Sequence, residues 1–143
     1  MQQDVIEFAI ELVRACGEQL RRVSTVTPEY KTDFQDLVTE YDRSMEEQIH
    51  HALKERFPTH SVLGEERVRE SGDHLWILDP IDGTTNFVSQ HRDFAISLAY
   101  YHKKQPVFGI VYDVMRDELF LGVHGKGAWK NKEQMATLRT KET

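Results

Sequence analysis

The hydrophobic pattern of the chain changes its period once, near Pro58, and this change limits the folds that the chain can adopt. Before Pro58, apolar residues recur at helical spacing, first from Val5 to Leu20 and again from Thr39 to Pro58. After Pro58, short apolar runs are separated by glycine, proline and polar residues, which indicates buried strands. We therefore expect two helices followed by a sheet.

Helices first and mostly antiparallel strands afterwards predict an α+β layer arrangement, with both helices packed on one sheet. The expected strands are Ser61–Leu63, Leu75–Leu78, Phe94–Tyr101, Val107–Tyr112 and Glu118–Val123, with a glycine-rich hairpin turn at HGKGAWKN. A chain of 143 residues is long enough for one apolar core. We expect residues 1–143 to form a single domain.

Composition excludes several classes of function. Lysine and arginine number 18 against 24 aspartates and glutamates, so the net charge of −6 disfavours nucleic acid and favours a small-molecule partner. A single cysteine, Cys16, excludes an internal disulfide and fits a reducing compartment. Because the N-terminal segment is acidic and no apolar run approaches roughly 18 residues, we expect a cytoplasmic protein without a membrane partner.

The densest chemical signal is the run WILDPIDGTTNF, Trp76–Phe87, in which a predicted strand leads directly into two aspartates. Pro80 restricts the backbone and Gly83 permits an unusual angle, so we expect Asp79 and Asp82 on a stiff turn. Two adjacent carboxylates repel each other, and a hard divalent cation is the natural compensation. Magnesium is the first choice because the ligands are oxygens.

The residues after these aspartates predict an anion site. Free backbone N–H groups of Gly83, Thr84 and Thr85 at the start of a helix would bind a phosphate beside the metal. The alternative is a plain turn in which Asp82 or Thr84 caps a following helix.

Two further carboxylate sources lie upstream. Glu65 or Glu66 follows the first predicted strand and could converge with Asp79, but the sequence does not choose between the two glutamates. On these residues alone, solvated charges at a strand end are the favoured interpretation. Thr39 and Asp42 have the spacing of a capping box at the start of the second helix. Asp42 could instead direct its carboxylate at the metal cluster.

Other catalytic classes fit poorly. The seven histidines lack metal-ligand spacing, so a zinc site is not expected. The chain contains no Walker loop, dinucleotide fingerprint or Gly-x-Ser-x-Gly elbow, which argues against nucleotide hydrolysis and serine nucleophiles.

The motifs WILDPIDGTTNF, GEE and DLVTEYD together resemble the inositol monophosphatase family, in that family's order and spacing, and the resemblance covers nearly the whole chain. It implies a layered α/β sandwich of the inositol monophosphatase and fructose-1,6-bisphosphatase type, of which this chain is the N-terminal portion. It also implies magnesium-dependent hydrolysis of a small phosphate monoester, with inositol monophosphate as the first candidate. Related branches act on fructose bisphosphate, adenosine phosphates or NADP.

The resemblance also implies roles for individual residues. The implied ligands of two or three magnesium ions are Glu65, Asp79, the carbonyl of Ile81, Asp82 and Asp42. The implied phosphate-binding residues are Asp82, Gly83, Thr84, Thr85 and Lys31. Catalysis by metal-activated water would involve Glu65 and Thr84, which position and deprotonate the water, with Asp42 serving the third ion or its waters.

The chain departs from the family in length. Family members are about twice as long, and their later half contributes a Trp-Asp motif that completes the metal site and residues that grip the substrate alcohol. We therefore expect reduced or absent activity from this chain alone, and self-association through exposed sheet surface. The resemblance further suggests a homodimer and inhibition by lithium.

A different class of function stays open, namely a non-enzymatic regulatory partner or a simple metal- and phosphate-binding domain. Its sequence support is a modest basic cluster at the hairpin and tail, formed by Lys126, Lys130, Lys132, Arg139 and Lys141. Such charges more commonly belong to a solvent-exposed hairpin without a binding role.

Overall fold

Two helices and seven strands make up the described part of the computed structural model, which comprises residues 2–23, 34–64, 72–82 and 93–135. The helices are α1 (Gln2–Val23) and α2 (Phe34–Arg56). The strands are β1 (Ser61–Leu63), β2 (His74–Asp82), β3 (Ala95–His102), β4 (Gln105–Asp113), β5 (Glu118–Val123), β6 (Gly127–Lys130) and β7 (Glu133–Gln134).

All of these strands form one sheet in chain order, β1 to β7. β1 and β2 are parallel, with Leu63 opposite Ile77, and each later neighbouring pair is antiparallel. Because strands that follow each other in the chain are also neighbours in the sheet, short turns suffice for most connections. The predicted α+β arrangement of two helices and a mostly antiparallel sheet is confirmed.

The core lies between the helices and one face of the sheet. α1 buries Ile6, Ala9, Val13, Cys16 and Leu20, which recur at helical spacing, and α2 buries Met45, Ile49 and Leu53. The sheet contributes alternate residues of its central strands, including Trp76, Leu78, Ile96, Leu98, Phe108, Ile110 and Tyr112. Alternation along β2 and β4 leaves Ile77 and Val111 on the other face, 38% and 44% exposed.

The second helix begins earlier than the sequence pattern predicts. α2 starts at Phe34, so Thr39 lies inside the helix and the capping interpretation of Thr39 and Asp42 is wrong. A capping box satisfies free N–H groups only at a helix start. Capping therefore does not explain Asp42.

The second strand is longer than predicted. β2 continues through Asp79 to Asp82 instead of ending at Leu78, so the aspartates lie in a strand and not in the expected turn. Asp79 pairs with Ser97 and Asp82 with Ala95, with a register shift between the two pairs. Pro80 has no N–H for the ladder, and a bulge accommodates it.

The glycine-rich hairpin was predicted correctly. β5 and β6 are joined by a turn at 124–126, where Gly125 adopts a φ of 77° that few other residues tolerate.

Neither described helix combines the length and the apolar character that crossing a bilayer requires.

Candidate metal and phosphate site

The bulged end of β2 presents two carboxylates at one end of the sheet, which we call the Asp82 end. Asp79 is half-buried, Ile81 is buried and Asp82 is exposed. The bulge shifts the register between the aspartates, so they do not follow simple strand alternation. Carboxylate and backbone carbonyl oxygens of this kind are the donors that magnesium prefers.

The second helix brings Asp42 toward the same end of the sheet. A short connection at 57–60 joins α2 to β1, and Lys54 Nζ closes it by donating to the carbonyl of His60 at 2.7 Å. Because the chain reverses there and β1 runs parallel to β2, the N-terminal half of α2 lies beside the carboxyl ends of both strands. Asp42 is in this half and is half-buried.

A contact between Glu46 and Gly64 fixes this packing directly. Glu46 is only 3% exposed, and its carboxylate lies against Gly64 at the exit of β1. Sequence reasoning missed Glu46. A signal was present, since Glu46 falls one turn after Asp42 and beside Met45 and Ile49 on the apolar side of α2.

Two other aspartates at the Asp82 end are neutralised by one arginine. Arg116 reaches Asp93 Oδ1 at 2.9 Å through Nη2 and Asp113 Oδ2 at 2.9 Å through Nη1. The hydrogen bonds that Arg116 donates to Asp113 and Asp93 raise the pKa of Arg116 above its ordinary value. Arg116 thus links Asp93, which lies just before β3, to Asp113 at the end of β4, and both aspartates have a structural role.

The structure describes four of the predicted site residues: Asp42, Asp79, Ile81 and Asp82. The others, Glu65, Gly83, Thr84, Thr85 and Lys31, lie outside the described residues, as does Glu66. Within the described ranges, no three or more His, Cys, Asp or Glu side chains are grouped so that they could hold a metal ion. The described carboxylates match a hard cation in donor chemistry, but they do not by themselves form such a group.

The basic cluster at the hairpin is weaker than its sequence suggests. Lys130 Nζ pairs with Glu118 Oε2 of β5 at 3.3 Å, while Lys126 and Lys132 are exposed. Arg139 and Lys141 lie outside the described residues.

The fold and the site together define a layered α+β protein with oxygen donors gathered where adjoining strands end. The family model described as "Inositol monophosphatase family" matches residues 1–143, and the chain belongs to that family.

Two similar proteins match this chain over more than nine tenths of its length. An inositol-1-monophosphatase of Bacillus subtilis is 36% identical over 142 residues, which make up 95% of this chain and 54% of that protein. A fructose-1,6-bisphosphatase/inositol-1-monophosphatase of Thermotoga maritima is 40% identical over 136 residues, 92% of this chain and 52% of that protein.

A solved structure is likewise similar to nearly all of this chain, over about half of its own length. Inositol monophosphatase II of Staphylococcus aureus superimposes with a TM-score of 0.85 at 35% identity, over 95% of this chain and 52% of that one. The chain therefore spans about half the length of the relatives that it matches. Its fold corresponds to the N-terminal portion of the family fold.

Proposed function

We propose that this chain is the metal- and phosphate-binding N-terminal portion of a magnesium-dependent phosphatase that hydrolyses a small phosphate monoester. The observation that carries the proposal is the end of β2, where the strand shifts register between a half-buried Asp79 and an exposed Asp82. A core strand has no need of two acids at its end, whereas a hard cation does. Membership of the inositol monophosphatase family supports the same reading.

The proposed ligands all donate oxygen. Asp79, Asp82 and the carbonyl of Ile81 would bind magnesium from β2, with Glu65 completing the shell and Asp42 serving a third ion from α2. Magnesium favours such hard donors, often with waters in the remaining positions. Bound magnesium ions lower the pKa of coordinated water and stabilise charge on a phosphate in transfer.

The protein's own groups would position the reactants. Backbone N–H groups of Gly83, Thr84 and Thr85 would hold the phosphate beside Asp82, and Lys31 would add positive charge near it. Glu65 and Thr84 would orient the attacking water and take up its proton. Positioning and charge compensation are most of what phosphoryl transfer requires.

The proposed substrate is inositol monophosphate. Its support is the names of the relatives, one an inositol-1-monophosphatase and another also a fructose-1,6-bisphosphatase. Fructose bisphosphate, adenosine phosphates and NADP are the competing substrates. We further propose a single domain over residues 1–143, a cytoplasmic homodimer and inhibition by lithium, each by family resemblance.

Magnesium titration of the purified chain by calorimetry tests the metal site. Asp79→Asn and Asp82→Asn should each weaken magnesium binding about tenfold or more, because each removes a charged ligand. Asp73→Asn is the matched control, since Asp73 is exposed at the opposite end of β2. Equal affinity in all four proteins would refute the assigned ligands.

Phosphate release from inositol monophosphate tests the reaction. We expect turnover well below that of a full-length relative, because the 143-residue chain spans only about half the length of the relatives that it matches. Any turnover should vanish in Asp82→Asn and persist in Asp73→Asn. Phosphate-ester binding that survives Asp79→Asn would favour the regulatory alternative instead.

A further inference from the structure

Glu46 is a buried carboxylate near the middle of α2, where the helix passes Gly64 at the exit of β1. It is 3% exposed, whereas Glu47, the next residue, is exposed. Burial removes the hydration of a carboxylate, which is costly unless the surrounding structure compensates for it.

The carboxylate of Glu46 occupies the space where a side chain at position 64 would project. A methyl group built on Gly64 would lie 2.7 Å from Glu46 Cδ, 2.7 Å from Oε2 and 3.1 Å from Oε1. Carbon atoms do not approach that closely without displacement, so glycine is required at 64 as long as Glu46 keeps its place. The two residues meet where α2 passes the exit of β1.

This contact sets the geometry between two sets of proposed ligands. Asp42 is one helical turn before Glu46, and side chains four residues apart lie on one helix face and lean toward the helix N-terminus. β1, which ends at Leu63 just before Gly64, runs parallel to β2, with Leu63 opposite Ile77, two residues before Asp79. Moving α2 along β1 would therefore move Asp42 relative to Asp79.

We infer that Glu46 is a positioning residue of the proposed metal site: by packing on Gly64, it sets the separation between Asp42 on α2 and Asp79 and Asp82 on β2. The inference rests on the proposed function, because it presupposes that these aspartates bind metal. Metal ligands must be held within fractions of an ångström, and loss of an outer-shell support typically weakens affinity about tenfold to a hundredfold.

Two substitutions at one position separate shape from charge. Glu46→Gln keeps the shape of the side chain and its contact with Gly64 but removes the charge, whereas Glu46→Asp keeps the charge and withdraws from Gly64. Gly64→Ala adds a methyl group in the space that the Glu46 carboxylate occupies, and so displaces that carboxylate. Glu47→Gln and Glu47→Asp are the matched controls, since they make the same chemical changes on the exposed side of the same helix.

The readout is Mn²⁺ affinity, measured by electron paramagnetic resonance on the 143-residue chain, with circular dichroism to confirm that each variant is folded. Mn²⁺ is a suitable probe because it takes the same oxygen donors as magnesium. Glu46→Asp and Gly64→Ala should each weaken Mn²⁺ binding about tenfold or more, and Glu46→Gln by clearly less than that. The Glu47 variants should bind as wild type does.

Three results would overturn the inference. If Glu46→Gln loses affinity and Glu46→Asp retains it, the charge of Glu46 acts directly on the metal. If all Glu46 and Gly64 variants bind Mn²⁺ as wild type does and only melt at lower temperature, the contact is merely structural. In both cases, loss of binding in Asp79→Asn would leave the proposed function standing. A wild-type chain that binds no Mn²⁺ would refute the metal site itself and this inference with it.

Discussion

The indole N–H of Trp76 donates a hydrogen bond to Nδ1 of His60 at 3.0 Å, within a stack of aromatic rings at the end of the sheet opposite Asp82. Phe57 and His74 lie against the two sides of His60, with ring centroids 4.7 and 4.3 Å away. Because Nδ1 accepts from Trp76, it carries no proton. The neutral imidazole is part of the fold.

We predict that His60 makes the fold sensitive to mild acid. Burial above all, with repulsion from His74, His102 and Lys54, lowers the pKa of His60 from 6.5 to about 4. A base with a lowered folded pKa binds its proton more readily when unfolded, so its contribution to stability is complete above about pH 6.5 and is lost as the pH falls to about 4. The loss has an upper limit of about 3 kcal/mol.

Urea unfolding at several pH values checks this expectation. His60→Asn keeps an acceptor for Trp76 and cannot titrate, so its stability should fall less steeply between pH 6.5 and 4 than that of wild type. His51→Asn, which changes an exposed histidine, should retain the wild-type slope. Equal slopes in all three proteins would contradict the prediction.

We predict that Gly17→Ala destabilises the protein although alanine favours helices. A methyl group at position 17 of α1 would overlap the ring of Tyr112, lying 3.0 Å from Cδ2 and closer still to Cε2. Tyr112 is fully buried and has no room to retreat. Overpacking of about 1–3 kcal/mol should outweigh a gain of about 1 kcal/mol in helix propensity.

The free energy of unfolding decides between these two effects. Gly122→Ala is the control, because in the described part of the chain no atom lies within 4 Å of the methyl group that it adds. That variant should be as stable as wild type. A Gly17→Ala protein more stable than wild type would show that Tyr112 can move.

We predict that Tyr112→Phe weakens the attachment of α1 to the sheet. The Tyr112 hydroxyl accepts from Arg21 Nη1 at 2.9 Å and donates to Asp117 Oδ1 at 2.5 Å. Arg21 also donates to the carbonyl of Val114 at 2.7 Å, so α1 and the β4–β5 turn share one network. Loss of the hydroxyl should cost about 1–2 kcal/mol.

A double-mutant cycle measures this coupling. Asp117→Ala and Tyr112→Phe should be less than additive when combined, because both remove the hydrogen bond from the Tyr112 hydroxyl to Asp117. Tyr101→Phe, on the neighbouring strand, controls for the loss of a hydroxyl as such. Fully additive free energies of unfolding would mean that the two residues act independently.

We predict that the chain associates with itself through the sheet face that the helices do not cover. Ile77 and Val111 are exposed there on β2 and β4, and Ala99 of β3 lies opposite Ile77. A second copy of the same face would remove this apolar surface from water. Val111→Ser should therefore reduce association in sedimentation velocity experiments.

Met135→Ser is the matched control for this surface. Met135 is 45% exposed but follows β7 at the far side of the sheet. Its substitution should leave the sedimentation profile unchanged. A monomeric wild-type chain at high concentration would contradict the prediction.

Local pattern alone determined much of this protein. The stripe from Val5 to Leu20 predicted α1, and the glycine-rich run after Val123 predicted the β5–β6 hairpin, because periodicity and turn chemistry depend on residues near each other in the chain. The run WILDPIDGTTNF likewise indicated the family, and the family model confirms that membership.

Tertiary contacts decided the rest. β2 extends to Asp82 because β3 pairs with it through Ser97 and Ala95, and neither partner can be read from the motif itself. Glu46 is buried because α2 folds back onto Gly64, eighteen positions along the chain. Burial, strand pairing and pKa depend on contacts between residues that are distant in the chain. A short-range sequence pattern does not specify those contacts.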